Sequence, residues 1–302
     1  MSNLEPKTNL KPAPKPKLQR LIKSKNKIAL IDGGEVVEFI ILPQDNFCAG
    51  TVLVGRIESA APQTGAYFVT LPENQVGFLQ SAKKLGIGAK VLAIVSKEAH
   101  GKKYAKLTTT LPTSSFSPEQ KKMFKEALAH ATKPLVLFVP DIIKELQAIY
   151  DIGEIVTDDM PRKTELFTSE GLSDALADAS SSLVTTKEGV RLFIEKAEAF
   201  WAIDVDSGAA TDLTITAINL IAAKEIARQI RLRNLSGQIV IDFISSTQNR
   251  LKGEVVTALK QAVKTDPTAT FVAGVTPLGH VEVVRCGKHR SLMESVKALD
   301  EK

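Results

Sequence analysis

Between residues 46 and 110 the chain turns too often to hold a helix. Short strand-like runs, Thr51 to Ile57, Gly65 to Thr70, Val76 to Leu79 and Lys90 to Ser96, are cut apart by Pro62, Pro72-Glu73-Asn74 and Gly86-Ile87-Gly88. About five short strands in roughly 65 residues point to a small barrel, because closure removes the sheet edges. From Lys83 to Lys106 there are seven lysines against one acid, Glu98. A positive barrel rim of this kind suits a nucleic-acid surface, although a soluble charged loop has the same composition.

The pattern changes after the Pro/Ser/Thr connector Leu111 to Pro118. Residues 119–131 read as a helix, 135–139 as a strand, 141–150 as a helix and 154–157 as a strand. This alternation indicates α/β packing. Two apolar runs around Asp32-Gly33-Gly34 predict a hairpin over residues 28–42. Residues 1–26 read as a disordered basic Pro/Lys tail, with order expected from about Lys27. The tail carries seven bases and one acid, which exceeds the net charge of +5 for all 302 residues. Global charge is therefore a weak argument for an RNA partner, and local patches must carry it.

Composition also excludes some classes. No 18-residue apolar run exists, so no membrane span is expected. The N-terminus lacks the apolar core of a secretory signal. Cys48 and Cys286 are too far apart for a Cys-x-x-Cys site, and a reduced, cytoplasmic chain is the simplest expectation.

Chemistry is concentrated in two strands. Ala202-Ile203-Asp204-Val205-Asp206-Ser207-Gly208 and Ile239-Val240-Ile241-Asp242-Phe243 each place an acid in or at the end of a very apolar run. An unpaired buried carboxylate is costly, so something must compensate. Asp204 and Asp206 alternate across one residue and share a face. If the two strands are neighbours, the carboxylates converge and repel unless a cation sits between them. Oxygen ligands without nearby histidine or cysteine favour Mg²⁺, with Mn²⁺ as an alternative. The plainer readings are a turn or helix cap at Asp206 and a salt bridge from Asp242 to Arg228 or Arg231.

Bases surround the second acid strand. Lys224, Arg228, Arg231 and Arg233 precede it, Arg250 and Lys252 follow it, and Arg285, Lys288 and Arg290 form another group. Carboxylate-held metal rimmed by arginine suits a phosphodiester substrate. The same arginines could instead lace helix surfaces in salt bridges.

Several stretches resemble the ribonuclease E/G family of bacterial endoribonucleases. They are GVRLFIEKAEAFWAIDVDSG (189–208), NLIAAKEIARQIRLRNLSGQIVIDF (219–243), LGHVEVVR (278–285), YDIGEIVTDD (150–159), DGGEVVEFII (32–41), TGAYFVTLPENQVGFL (64–79) and KLTTTLP (106–112). The resemblance implies a ribonuclease H-like α/β domain, residues 27–45 and 111–302. Inserted in it, over residues 46–110, is an oligonucleotide-binding barrel of the ribosomal-protein-S1 type. It implies Mg²⁺-dependent cleavage of single-stranded RNA to 5′-phosphate and 3′-hydroxyl ends. The family's metal-binding aspartates fall on Asp204 and Asp242. Asp206 stands where the family often has Asn, so it would be an additional ligand or would alter pH and metal preference. The barrel residues that stack or clasp RNA fall on Phe68, Phe78 and Lys103, and Arg228, Arg231, Arg250 and Arg285 complete the expected RNA contacts. From the residues alone, Phe68 and Phe78 could instead fill the barrel core, Phe68 above all because it lies in an Ala-Tyr-Phe-Val run.

There are departures. The family's 5′-phosphate-sensing loop has no counterpart between Leu111 and Asp141. Its Cys-Pro-x-Cys zinc link and long C-terminal scaffold are also expected to be missing, so no zinc-linked dimer is expected, while other self-association stays open. A family arginine near the active centre falls at Pro277, leaving Arg285 or His280 to compensate. Two alternatives follow from these departures: a non-catalytic RNA-binding or regulatory protein, and a nuclease for structured RNA precursors.

Overall fold

The computed structural model describes residues 19–43, 47–99, 103–111, 115–158, 164–245 and 253–300. The chain opens with a meander of β1 (Gln19–Ser24), β2 (Lys27–Asp32) and β3 (Glu35–Ile41). This corrects the expected tail boundary, since Gln19–Ser24 is already an interior strand. Leu21 and Ile22 are both fully buried, on opposite faces. Leu21 packs with Ile28, Ile40, Ile142 and Leu146, and Ile22 with Ala29, Phe39 and Phe167. Burying each aliphatic side chain is worth about 1.5–3 kcal/mol, which outweighs the basic composition around it.

The barrel follows as β4 (Val52–Ala61), β5 (Ala66–Thr70), β6 (Val76–Gln80), β7 (Lys90–Lys97) and β8 (Ala105–Thr108). β4 pairs with β5, β5 with β6, β6 with β8, β8 with β7 and β7 with β4, so the ring closes. Leu53, Ile57, Val69, Leu79, Val95 and Leu107 fill it. Gly77 has no room for a side chain, because a Cβ there would lie 2.5 Å from Leu107 Cδ1. The Gly77→Ala protein is expected to lose about 1–3 kcal/mol to overpacking, read as a lower urea midpoint.

Helix α1 (Pro118–His130) starts with a Ser117–Gln120 capping box. The next strand, β9 (Leu135–Phe138), does not join the α/β part as its sequence position suggested. It adds antiparallel to β4, outside the ring. Phe116, Phe124 and Phe138 seal α1 and β9 against the barrel wall through edge-on ring contacts. Local periodicity identifies a strand but not its partner, which tertiary packing chooses.

The chain then returns. After α2 (Ile142–Ile149), β10 (Ile152–Thr157) pairs parallel with β1, giving a four-stranded sheet of order β10-β1-β2-β3. Helices α3 (Leu166–Ser169) and α4 (Leu172–Ser180) cover it. A second sheet has six strands in the order β11-β12-β13-β14-β16-β15. It is built from β11 (Leu183–Thr185), β12 (Arg191–Lys196), β13 (Trp201–Asp206), β14 (Gly237–Asp242), β15 (Thr270–Val275) and β16 (Val281–Arg285). Helices α5 (Ile215–Leu232) and α6 (Gly253–Ala262) bury one face of it, and α7 (Leu292–Asp300) packs back on β3 and α4. The expected architecture, a ribonuclease H-like α/β fold with an inserted OB-type barrel, is present. Its α/β part is two sheets joined through α5, which touches both β3 and β12.

Candidate active site

The helix-free face of the six-stranded sheet positions the acids. β13 and β14 run parallel, and Asp204 is the register partner of Asp242. Adjacent strands lie about 4.8 Å apart, so the two carboxylates emerge side by side. Their neighbours Ile203, Val205 and Ile241 point the other way into the core beneath α5. Alternation therefore explains how such apolar strands tolerate these acids: the carboxylates never enter the core. Partial burial, then the charges of Asp242 and Asp206, push the Asp204 carboxyl above the usual carboxylate range.

The chain beyond each strand is fixed. After Asp242, the buried Asn219 on α5 donates to the Ile244 carbonyl at 2.8 Å and accepts from the Ile244 N–H at 3.2 Å. After Asp206, Gly208 has φ +54°, and a Cβ there would lie 2.2 Å from the Gly189 carbonyl oxygen. Only glycine suits that approach.

Asp206 shares the face of Asp204 but is engaged through one of its oxygens. Its Oδ1 accepts from Arg191 Nε at 2.7 Å and from the Gly208 N–H at 2.8 Å, and Arg191 Nη2 lies 2.6 Å away. The Arg191 hydrogen bond, followed by that of Gly208, holds the Asp206 carboxyl below the usual range. On the far side, His280 Nε2 comes within 3.8 Å of Asp242 Oδ2. Among the described residues no three His, Cys, Asp or Glu side chains assemble into a metal cage. The donor set nevertheless suits a hard cation of the Mg²⁺ class, which usually takes one or two carboxylates and fills its octahedron with water and substrate phosphate.

The barrel carries a second set of groups, which meets the sheet at the β12–β13 turn, the opposite end of that hairpin from Asp204 and Asp206. Phe68 and Phe78 are cross-strand partners with ring centroids 5.9 Å apart. Both are half-buried on the barrel's outer face, so neither fills its core. Tyr104, which sequence reasoning missed, is half exposed and meets Phe68 edge-on at 5.5 Å. Lys103 Nζ donates to the Glu198 carbonyl at the β12–β13 turn, 3.2 Å away. Partial burial, then the charge of Lys106 and, more weakly, of Lys196 and Lys103, pulls the Lys97 ammonium down, partly offset by Glu294. These lysines crowd together where the barrel meets the sheet.

The expected arginines divide. Arg228 is half exposed and binds Glu225 on its own helix turn. Arg250 lies outside the described residues. Arg231 and Arg285 are not surface groups, which corrects both as RNA contacts. Arg231 stacks on the Tyr150 ring at 5.3 Å and faces Glu38 at 3.8 Å, with its side chain 15% exposed. Arg285 is fully buried, with Nε 2.6 Å from Asp266 Oδ2 and Nη1 on Asn234. Alternation along β16 sends Arg285 inward with Val281 and Val283.

A buried pair locks the barrel to the α/β part. Glu98, beyond the end of β7, meets His289 Nδ1 at 2.8 Å and accepts from the Arg290 and Ala49 N–H groups at 3.0 and 3.2 Å. Burial alone would lower the His289 pKa, but the hydrogen bond and charge of Glu98 raise it overall. Burial would likewise raise Glu98, but His289, Arg290 and Ala49 lower it overall. The histidine contribution is complete below its ordinary value of 6.5 and is lost as pH rises through the raised value. The Glu98 contribution is present above 4.5 and is lost as pH falls through the lowered value. The melting temperature is expected to decline as pH rises above the ordinary histidine range, and the His289→Gln protein to lose that slope in a pH series of thermal melts.

Fold and site together define an α/β protein with carboxylates at adjacent parallel strand ends and an aromatic, lysine-rich barrel that meets the other end of the β12–β13 hairpin. The "Ribonuclease E/G family" model matches residues 119–287, more than half of the chain, and the chain belongs to that family. It is 36% identical over 125 residues to "Ribonuclease G" of Salmonella typhimurium (strain SL1344), covering 40% of this chain and 26% of that protein. It is 34% identical over 179 residues to "Ribonuclease E" of Haemophilus influenzae, covering 58% of this chain and 18% of the other. To "Ribonuclease G" of Escherichia coli (strain K12) it is 40% identical over 107 residues, 34% and 22% of the two chains. The matches thus span about a quarter or less of these relatives. Among the described residues no helix is long and apolar enough to cross a membrane.

Proposed function

We propose that the chain is a Mg²⁺-dependent endoribonuclease, with Mn²⁺ as a substitute, that hydrolyses single-stranded RNA to 5′-phosphate and 3′-hydroxyl ends. The observation that carries this is the register pairing of Asp204 with Asp242 on an open sheet face. The ribonuclease names of the relatives support it. In this reading Asp204 and Asp242 hold the cation. Once bound, the cation supplies charge for the phosphoryl oxygens and a more acidic water. His280 stands beside Asp242 and orients it. Phe68, Phe78 and Tyr104 stack bases, and Lys97, Lys103, Lys106 and Lys196 draw the phosphate backbone toward the β12–β13 hairpin. A cytoplasmic location belongs to the same reading.

The second reading, a non-catalytic RNA-binding protein, is favoured by one observation: Asp206 commits its Oδ1 to Arg191 and the Gly208 N–H. Labelled unstructured and hairpin RNAs incubated with Mg²⁺ or EDTA separate the readings. Cleavage of the unstructured RNA only with Mg²⁺ supports the first. Tight, salt-sensitive binding without cleavage supports the second. Preference for the hairpin would replace the single-strand rule with one for structured precursors.

A further inference from the structure

We propose that Leu183, Phe193 and Arg191 form a nucleotide subsite beside the carboxylate pair, holding the base and phosphate of a nucleotide that flanks the cut. The proposal rests on the endoribonuclease reading and deepens it. Its basis is a row across four strands. Leu183 on β11 pairs with Phe193 on β12, Phe193 with Asp204 on β13, and Asp204 with Asp242 on β14. The row runs from two apolar side chains directly into two carboxylates, in steps of about 4.8 Å.

The apolar half of the row faces outward. Leu192 and Ile194, which flank Phe193, are fully buried, so alternation turns Phe193 to the open face. Phe193 is half-buried there, and Leu183 on the edge strand is 41% exposed. A flat aromatic platform bordered by leucine offers a base a stacking surface, and every base has a π-face to use it.

Arg191 supplies the charge. Its guanidinium lies 5.9 Å from the Phe193 ring centroid. Nε and Nη2 are held by Asp206 Oδ1, while Nη1 has no acceptor among the described residues. Asp206 is itself fixed by the Gly208 N–H at 2.8 Å. A guanidinium held on one edge keeps its other edge preorganised for a phosphate oxygen. Asp206 thereby becomes a positioning residue for Arg191, and the cation is left to Asp204 and Asp242. A peptide strand is a poorer fit, because the row ends in two acids that need a cation and a polyanion rather than a backbone.

The test uses the full chain and a single-stranded RNA with 2-aminopurine scanned through successive positions. In EDTA, the wild-type protein is expected to quench the fluorophore at one position, next to the cut mapped with Mg²⁺. The quenching should vanish in Phe193→Ala and survive in Phe193→Tyr, with both proteins melting as the wild type does. Under turnover conditions, Phe193→Ala and Arg191→Ala are each expected to raise KM about 5- to 100-fold, the range that one stacked base or one charged contact supplies. Arg191→Ala, Asp206→Asn and the double variant should show the same KM, because the two residues act as one unit. Unchanged quenching and KM in Phe193→Ala would overturn the subsite, even if the wild type cuts RNA normally. An Asp206→Asn protein whose sole defect is a higher Mg²⁺ requirement would overturn the role given to Asp206. The quenching arm needs no catalysis, so it decides whether a base stacks on Phe193 even if no RNA is cut and the nuclease reading fails.

Discussion

Asp204→Asn and Asp242→Asn proteins are expected to cut single-stranded RNA at least about 100-fold more slowly than the wild type, without losing the fold. Removing one preorganised group that stabilises developing charge typically costs that much. Each change deletes half of the charge of the Asp204–Asp242 pair. Asp206 is expected to be a poorer substitute, because its Oδ1 is engaged by Arg191 and the Gly208 N–H. The stability expectation has the opposite sign. Burial and the neighbouring acids disfavour the ionised form of Asp204. Removing that charge relieves repulsion, so the Asp204→Asn melting temperature should equal or exceed that of the wild type. Loss of activity with unchanged or higher stability is the pattern of a site retained for function. Initial rates on a labelled RNA, paired with thermal melts, would measure both. A near-wild-type rate in either variant would remove the carboxylate pair from the reaction.

Arg285→Met is expected to destabilise the protein by about 3–5 kcal/mol, the usual cost of leaving one partner of a buried ion pair uncompensated. Asp266 is the stranded partner, only 4% exposed, and Asn234 loses a hydrogen bond at the same time. Replacing Asp266 as well, in an Arg285→Met/Asp266→Leu protein, should recover much of the loss, because an apolar pair of similar volume no longer buries a lone charge. Urea unfolding of the three proteins measures this directly. Had Arg285 been a surface contact for RNA, the single change would weaken RNA binding and leave the urea midpoint in place.

That arginine shows where sequence reasoning stops. The barrel was legible because turns at Pro62, Pro72 and Gly86–Gly88 enforce short strands, and closure follows from edge avoidance. The acid-bearing strands were legible because acids are rare in such apolar runs. Their alignment was conditional on strand order, which the parallel β13–β14 pairing supplies. Charge was read less well. Lysines near Gln19–Ser24 suggested a tail, although Leu21 and Ile22 are core residues. Arginines before and after β14 suggested a phosphate rim, although Arg231 and Arg285 turn inward to Glu38 and Asp266. A basic residue reads the same in sequence whether it meets water or a buried acid from a distant segment. Phe193 and Arg191 were overlooked for the complementary reason. Strand alternation alone does not say that an adjoining strand end carries Asp204, and only the register puts them beside it.

The most direct test of the central claim is the end chemistry of the RNA products made by the wild-type chain. A uniformly single-stranded RNA, cut in Mg²⁺ and probed for its termini, is predicted to give 5′-phosphate and 3′-hydroxyl ends, with no cleavage in EDTA. Attack by an activated water, rather than by the ribose 2′-hydroxyl, forms no 2′,3′-cyclic phosphate, and departure of the 3′-oxygen then leaves those ends. Products bearing 2′,3′-cyclic phosphates with equal rates in EDTA, or intact RNA under both conditions, would contradict the assignment of Asp204 and Asp242 as the reactive centre.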